Sequence, residues 1–221
     1  MGKNEDPMPG KTTRILIADD HELLRRGLKG ILLEEFSPLE IGEAMNATQA
    51  LEAVQKQEWD VVLLDINMPG PSGLDVLQDV KRLYPTMPVI ILSAFPEQDY
   101  AVRAFKLGAS GYVSKQSASS ELLSAIRKAL AGGRYVTPLL AEALAATLAG
   151  ETPAAPHEML SNRELQVLRM VAQGKTLKEI ASELSLSEKT IGTYRTRISQ
   201  KLGLGTNVQL ARYAVRHELV D

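Results

Sequence analysis

Short apolar runs alternate with amphipathic segments through the first 131 residues of the chain. Each run has the length of a buried strand, and each following segment carries apolar residues at helical spacing. The predicted strands are 14–18, 39–44, 61–65, 89–94 and 111–114. The predicted helices are 21–35, 47–57, 73–83, 98–107 and 120–131. These strand–helix units predict a doubly wound α/β domain, with five parallel strands and helices on both faces of the sheet.

The third apolar run, VVLLD at 61–65, ends in an acid and is followed by a Pro-Gly break. Its continuous apolar character predicts a fully buried parallel strand that stops at a loop. In open α/β sheets, ligands bind at the carboxyl ends of the strands. Asp65 is therefore placed for chemistry.

Two further acids, Asp19 and Asp20, follow the first strand. In a flavodoxin-like sheet with the strand order 2-1-3-4-5 the first and third strands are neighbours, so these carboxylates would converge on Asp65. Oxygen ligands alone favour a hard cation such as Mg²⁺, with Mn²⁺ as an alternative. Ser93 and Lys115 lie at the ends of the fourth and fifth strands. A hydroxyl and an ammonium beside a metal-charged carboxylate suit a tetrahedral dianion.

Taken singly, each of these residues has an ordinary structural explanation. An Asp-Asp pair after a strand commonly caps a helix, a lone lysine is usually solvated, and a serine at a strand end commonly lies in a turn. Their joint placement at the ends of four predicted strands is what favours a functional site.

Composition and charge narrow the class of protein. The absence of cysteine excludes disulfide scaffolds and thiolate metal sites and fits a reducing compartment. No apolar run reaches the roughly 18 residues of a membrane span, and residues 1–13 are polar. We therefore expect a disordered tail and a cytoplasmic protein with no membrane partner. The net charge of −2 is uneven, because residues 157–221 carry ten Lys/Arg and seven Asp/Glu, or +3, which leaves −5 for the rest.

The mildly basic C-terminal part, residues 157–221, follows the predicted α/β domain at 14–132 and a linker at 133–156. The linker contains a short Ala/Leu-rich helix at 139–148 and a flexible hinge at 150–156. In 157–221, a capping box at Ser161 and Glu164 opens a first helix. Further helices are predicted at 177–184, 188–202 and 207–219. The short turn between the second and third helices predicts a helix-turn-helix.

The third helix of this domain is the predicted DNA-reading helix. Its helical geometry turns Ile191, Ile198 and Leu202 toward the core. Between its first and last cations it carries no acid, which suits a helix in the major groove of DNA. Those cations are Lys189, Arg195, Arg197 and Lys201.

Residues 14–132 resemble the receiver domain of two-component response regulators. The segments LIADDHELLRRGL, VVLLDINMPGPSGLDVL, VIILSAF and GASGYVSK carry the resemblance. It implies that Asp65 accepts a phosphoryl group from a phosphohistidine on a sensor histidine kinase. It also implies that Asp19, Asp20, Asp65 and the backbone carbonyl of Asn67 hold Mg²⁺.

The same resemblance implies a switch around the phosphoryl group. Ser93 and Lys115 would contact the new dianion, and the side chain of Tyr112 would rotate inward as Ser93 moves. The competing explanation of Tyr112 is an edge aromatic with no switching role. Chemistry would be limited to phosphorylation and dephosphorylation of Asp65, so we expect no enzyme in the ordinary sense.

Residues 158–221 resemble the LuxR-type helix-turn-helix, along LSNRELQVLRMVAQGKTLKEIASELSLSEKTIGTYRTRISQKLGL. A receiver followed by this module identifies the chain as a member of the NarL/FixJ family of transcriptional regulators. The resemblance implies double-stranded DNA as a partner and a phosphorylation-dependent homodimer on paired half-sites, with RNA polymerase as a further candidate partner. The expected seam runs along the last helix through Val208, Ala211 and Val215, with ordinary intradomain core as the competing explanation.

The DNA contacts expected from this resemblance lie on the third helix. Thr193 and Thr196 should lie near base edges, and the cations mainly on phosphates. Gly192 and Tyr194 stand where many relatives carry a basic residue and a histidine. Glycine there costs about 1 kcal/mol relative to alanine but permits close backbone approach to DNA. The full expected set is Lys189, Gly192, Thr193, Tyr194, Arg195, Thr196, Arg197 and Lys201.

Two other functions stay open at this point. One is a Mg²⁺-dependent phosphotransferase or phosphatase that acts through an aspartyl-phosphate, although the short strand–helix loops leave no candidate lid. The other is a regulator whose receiver is never phosphorylated and serves only for dimerisation.

Overall fold

The computed structural model describes residues 12–94, 97–117, 119–148, 155–217 and 219–220. Its sheet has five parallel strands in the order β2-β1-β3-β4-β5, which confirms the predicted doubly wound topology. The strands are β1 Thr13–Ala18, β2 Leu39–Ala44, β3 Val61–Asp65, β4 Val89–Ser93 and β5 Gly111–Ser114. Predicted and observed bounds agree within one residue in each case.

The helices of the α/β domain are α1 Glu22–Glu35, α2 Ala47–Lys56, α3 Gly73–Leu83, α4 Glu97–Lys106 and α5 Ser119–Leu130. They cover both faces of the sheet. Along β3, Val62 and Leu64 pack into one apolar cluster, and Val61 and Leu63 pack into the other. This alternation buries all five residues of β3, as expected for a strand at the centre of a parallel sheet.

The linker helix α6 (Pro138–Leu148) packs against α4. The side-chain hydroxyl of Thr137 accepts a hydrogen bond from the Leu140 backbone N–H and donates one to Glu97. Residues 150–154 of the predicted hinge lie outside the described residues, as do residues 1–11 of the predicted tail. Residues Pro156–Met159 form a 3₁₀ turn that the sequence patterns did not predict.

The back domain contains α7 Asn162–Ala172, α8 Leu177–Glu183, α9 Glu188–Leu202 and α10 Asn207–Arg216. Ile191 and Ile198 are fully buried as predicted, whereas Leu202 is only partly buried. The prediction that α10 reaches Leu219 is wrong. His217 ends the helix, and the Leu219 N–H donates back to the Ala214 carbonyl, which folds the Leu219 side chain into the core.

Candidate functional site

Three acids meet at the carboxyl edge of the sheet, where β1 and β3 lie side by side. Asp19 follows β1 and Asp65 ends β3, and their side chains are 0% and 1% exposed. The Lys115 Nζ atom lies between them, 2.7 Å from Asp19 Oδ2 and 2.8 Å from Asp65 Oδ2. Asp20 lies beside Asp19 and is partly buried. The sheet topology therefore brings together the acids and the lysine that the sequence singled out.

Burial and the ion pair between Asp65 and Lys115 have opposite effects on the pKa values of these two residues. Burial raises the pKa of the Asp65 carboxyl, and the neighbouring Asp19 carboxylate adds to that rise. The Lys115 ammonium and the Asn67 backbone N–H, which hydrogen-bonds Asp65, act in the opposite direction. Burial lowers the pKa of Lys115, but the attraction of Asp65 and Asp19 outweighs it, so the pKa is raised and Lys115 keeps its charge.

The end of β3 is held in place by the start of α3. The Gly73 N–H donates to the Ile66 carbonyl at 2.9 Å. A Cβ atom on Gly73 would lie 2.0 Å from the Asp65 carbonyl oxygen, so only glycine permits this approach. Ser72 caps α3 in a capping box with Asp75. Together these contacts fix the backbone that carries the Asp65 side chain.

A histidine that sequence reasoning missed adjoins the acids. The Nδ1 atom of His21 lies 3.0 Å from Asp19 Oδ1 and 2.9 Å from Asp20 Oδ1. One ligand atom from each of His21, Asp19, Asp20 and Asp65 lies within 4.8 Å of all the others. The signal was the histidine's position directly after the acidic pair.

The donor set fits a divalent cation. Asp19, Asp20 and Asp65 each have one buried oxygen that pairs only with Lys115 or His21 among the described residues. A carboxylate oxygen with one such partner keeps a lone pair available for a metal. Three carboxylates on one hard cation are the chemistry that the sequence predicted here.

Ser93 and Tyr112 are both buried beside this edge. Ser93 ends β4, and its carbonyl accepts the Lys115 N–H at 2.7 Å, so the two residues are adjacent. The Tyr112 side chain is 1% exposed and belongs to the same apolar cluster as Tyr100 of α4. Tyr112 of the edge strand β5 is therefore buried, and its switching role stays a prediction.

On the helical domain, α9 presents a polar face. Thr193, Thr196 and Arg197 are exposed, as is Lys189, whereas Gly192 and Tyr194 are partly buried. Two of the predicted phosphate contacts have partners within the chain. Arg195 Nε donates to Asn207 Oδ1 at 2.6 Å, and Lys201 Nζ donates to Glu164 Oε2 at 2.6 Å.

Comparison with known proteins assigns each of the two domains of the chain to a family. The response regulator receiver domain model matches residues 15–127, and the model for bacterial regulatory proteins of the luxR family matches residues 158–214. The chain is 35% identical to the response regulator GacA of Pseudomonas viridiflava over 209 residues, covering 94% of this chain and 98% of that protein. The chain belongs to the NarL/FixJ family of response regulators. It is a two-component transcription regulator with a receiver and a LuxR-type helix-turn-helix.

Two further relatives agree with this assignment. The response regulator UvrY of Escherichia coli is 35% identical over 208 residues, covering 94% of this chain and 95% of that protein. A structure of RcsB from Salmonella enterica serovar Typhimurium, bound to promoter rprA in the presence of phosphomimetic BeF3−, is similar with a TM-score of 0.59. It is 26% identical, and the match covers 92% of this chain and 98% of that chain.

The receiver site opens into a cavity of about 690 Å³ between α1 and α5. Asp20, Asp65, Asn67 and Lys115 line its polar end, and Glu183 of the helix-turn-helix domain reaches its rim. Apolar residues of α1, β4, β5 and α5 line much of the rest. The two domains therefore meet at the site. No helix among the described residues is long and apolar enough to cross a membrane.

Proposed function

We propose that this response regulator accepts a phosphoryl group on Asp65 from the phosphohistidine of a sensor histidine kinase and controls transcription by binding DNA as a homodimer. The observation that carries the proposal is the Lys115 ammonium held between Asp19 and Asp65 at the carboxyl edge of the sheet. A buried carboxylate beside a fixed cation can act as a nucleophile. The cation is then already in place to neutralise the negative charge of the acyl phosphate that forms.

The chemical step is an in-line displacement at phosphorus. A carboxylate oxygen of Asp65 forms a bond to phosphorus while the P–N bond to the kinase histidine breaks, and that electron pair returns to the imidazole. The product is an acyl phosphate on Asp65. The Lys115 ammonium, now 2.8 Å from Asp65 Oδ2, is placed to pair with an oxygen of the transferred group.

The proposed metal ligands are Asp19, Asp20, Asp65 and the backbone carbonyl of Asn67. Mg²⁺, or Mn²⁺ in its place, would neutralise the charge that accumulates as phosphorus moves between nucleophile and leaving group. One carboxylate oxygen from each of the three acids lies within 4.8 Å of the others, which supports this assignment.

Ser93 and Tyr112 are the proposed readout of phosphorylation. Ser93 would hydrogen-bond the new phosphoryl group, and Tyr112 would respond through its contacts with α4. Tyr112 of β5 and Tyr100 of α4 belong to the same apolar cluster, which supports this proposal, because a movement of the Tyr112 side chain would change the packing of α4.

The proposed DNA-reading face is that of α9. Exposed Thr193 and Thr196 would lie near base edges, with Lys189 and Arg197 on phosphates. Arg195 and Lys201 would have to leave their present partners, Asn207 and Glu164, to reach DNA. The promoter complex of RcsB supports double-stranded DNA as the ligand.

The proposed homodimer seam runs along α10. Val208 and Val215 are 74% and 54% exposed, which counts against the intradomain-core explanation of these residues. Ala211 lies on the same helix and is partly buried. A dimer on paired half-sites would double the number of base pairs read and present a surface to RNA polymerase.

The test is phosphate-affinity gel migration after incubation with a small acyl-phosphate donor. Wild type, Asp65→Asn and the control Asp79→Asn are compared with Mg²⁺ and with chelator. Asp79 is a partly buried acid of α3 that pairs with Arg82. We expect a Mg²⁺-dependent shifted band in wild type and Asp79→Asn that Asp65→Asn lacks. Size-exclusion chromatography of the same samples should show a phosphorylation-dependent dimer. A shifted band that persists in Asp65→Asn would refute the acceptor assignment.

A further inference from the structure

A second cavity opens at the amino edge of the sheet, at the opposite ends of the strands from Asp65. It has a volume of about 300 Å³, which is within the range of small-molecule sites. Ser110 lines it directly before β5, and Pro88 lines it directly before β4. Lys81 in the last turn of α3 and Arg134 after the end of α5 complete its walls. We call it the basic cavity.

The charge of the basic cavity contrasts with that of the surrounding domain. Residues 1–156 carry a net charge of −5, yet Lys81 and Arg134 line the cavity and no acid is among its described lining residues. Burial lowers the pKa of Lys81, and repulsion by Arg134 lowers it further. An anion placed between these two cations would therefore relieve a repulsion that no described lining residue offsets.

Arg134 is the cation with free hydrogen-bonding capacity. Lysine or arginine near the end of a helix ordinarily pairs with backbone carbonyls, and Lys81 does so. Its Nζ donates to the Met87 carbonyl at 2.5 Å and to the Pro85 carbonyl at 3.4 Å. Arg134 has no hydrogen bond or ion pair with any described residue. Its planar guanidinium suits bidentate binding of a phosphate group.

Ser110 adds a hydroxyl that lacks a partner. The residue is 9% exposed, and its hydroxyl makes no hydrogen bond with the part of the chain that the structure describes. Buried hydroxyls normally have a partner. The Ser110 backbone is already fixed, because its N–H donates to the Val89 carbonyl and its carbonyl accepts the Tyr135 N–H. The side chain of Ser110 is therefore held at the wall of the cavity, with its hydroxyl free for a ligand.

We propose that the basic cavity binds a small molecule that carries a phosphate group. Arg134 and Lys81 supply the positive charge, and Ser110 donates a hydrogen bond. Two cations and a hydroxyl match a tetrahedral dianion, and the cavity has room beyond a single phosphate group. The ligand is either free phosphate or the phosphate end of a larger metabolite. This site lies apart from Asp65 and does not depend on the proposed phosphorylation.

The test is isothermal titration calorimetry of the full-length protein with inorganic phosphate, pyrophosphate and adenosine monophosphate. Chelator is present, so that no divalent cation holds these anions at the acidic site. Wild type is compared with Arg134→Ala, Ser110→Ala and the control Arg82→Ala. Arg82 is an exposed cation of α3 that pairs with Asp79 and is not among the residues that line the cavity. Circular dichroism checks folding, and amide chemical shifts locate the bound anion.

We expect saturable binding to wild type, with amide shifts in segments 108–111 and 132–135. Arg134→Ala should raise the Kd about tenfold or more, as for the loss of a charge-assisted hydrogen bond. Ser110→Ala should raise it about threefold or more, as for a neutral hydrogen bond. Arg82→Ala removes the same charge as Arg134→Ala but should change the Kd less than about twofold, because screening weakens its effect.

The three probes distinguish the sources of the phosphate group. Tighter binding of adenosine monophosphate or pyrophosphate than of inorganic phosphate would support a larger metabolite, and equal binding would support free phosphate. Absence of saturable binding of all three probes to folded wild type would overturn the proposal. Equal weakening by Arg82→Ala and Arg134→Ala, or amide shifts confined to the surroundings of Asp65, would overturn it as well.

Discussion

Lys115 Nζ lies 2.8 Å from Asp65 Oδ2, and the side chains are 14% and 1% exposed. This cation is the counter-charge of two buried acids, because Asp19 Oδ2 is equally close. Removing one partner of a buried ion pair is costly, since the remaining charge has neither water nor partner.

Lys115→Ala should therefore lower the free energy of unfolding by about 3 kcal/mol at neutral pH without divalent cation. Millimolar Mg²⁺ should restore more stability to the variant than to wild type. Without Lys115 the pKa of Asp65 rises further above its unfolded value, so the deficit should shrink as the pH falls and Asp65 is protonated. Urea unfolding with and without Mg²⁺ measures each effect.

The control is Lys29→Ala, because Lys29 pairs with Glu43 at 3.3 Å on the surface. Its loss should cost less than about 1 kcal/mol. Equal losses for the two variants would contradict the assignment of Lys115 as a buried counter-ion.

Gly73 offers a test of the backbone that carries the acceptor. Gly73→Ala places a Cβ atom 2.0 Å from the Asp65 carbonyl oxygen, and neither backbone can move without shifting β3 or α3. We expect a loss of about 3 kcal/mol, at the upper end for overpacking, together with slower phosphorylation. Gly30→Ala on α1 has no atom within 4 Å and should stabilise the protein by about 0.5–1 kcal/mol. A tolerated Gly73→Ala would show that this approach is not needed.

Local pattern was enough to predict the sheet but not the contacts between domains. The bounds of β3 follow from four consecutive apolar residues that end in an acid before a Pro-Gly break, and the convergence of Asp19 with Asp65 follows from strand order. Arg163 and Gln166 of α7 donate hydrogen bonds to the loop that follows β3, 93 to 99 positions away in the chain. No periodicity or motif specifies which surfaces of two folded domains meet, so these residues had no signal in the sequence.

The cations of α9 illustrate the same limit. Because basic residues cluster on α9 with no acid between them, the sequence predicted that all four contact phosphate. The structure gives them different roles. Lys201 donates a hydrogen bond to Glu164 of α7, and Arg195 donates one to Asn207 at the start of α10. Charge counting locates a basic helix but does not show which of its side chains have partners within the fold.

Substitution of Gly192 on α9 should affect both the stability of the protein and its affinity for DNA. A Cβ atom there has no neighbour within 4 Å, so Gly192→Ala should raise the free energy of unfolding by about 0.5–1 kcal/mol. If the bare backbone is what approaches DNA, the same change should weaken binding to a duplex selected from random sequence, measured by fluorescence anisotropy. Gly30→Ala should stabilise without changing affinity. Unaltered affinity of Gly192→Ala would mean that the glycine is not at the contact.

His157 should make the protein less stable in mild acid. It lies against Tyr213 and His217, and its Nδ1 is 3.1 Å from the Tyr213 hydroxyl. Burial lowers the pKa of His157, and His217 lowers it further, as do Arg169 and Arg103, while Glu158 opposes them. The unfolded chain therefore binds a proton more readily than the folded one.

The sign of the pH effect follows from this difference. Stability is full above the ordinary pKa of histidine, about 6.5, and is lost as the pH falls below it, because protonation favours the unfolded state. Thermal unfolding of wild type between pH 7.5 and 5.5 should show a falling Tm, and His157→Gln should reduce that fall by a few degrees. His217→Gln should act in the same direction but less, since it removes only the second cause. An undiminished fall in His157→Gln would assign the acid sensitivity to another group.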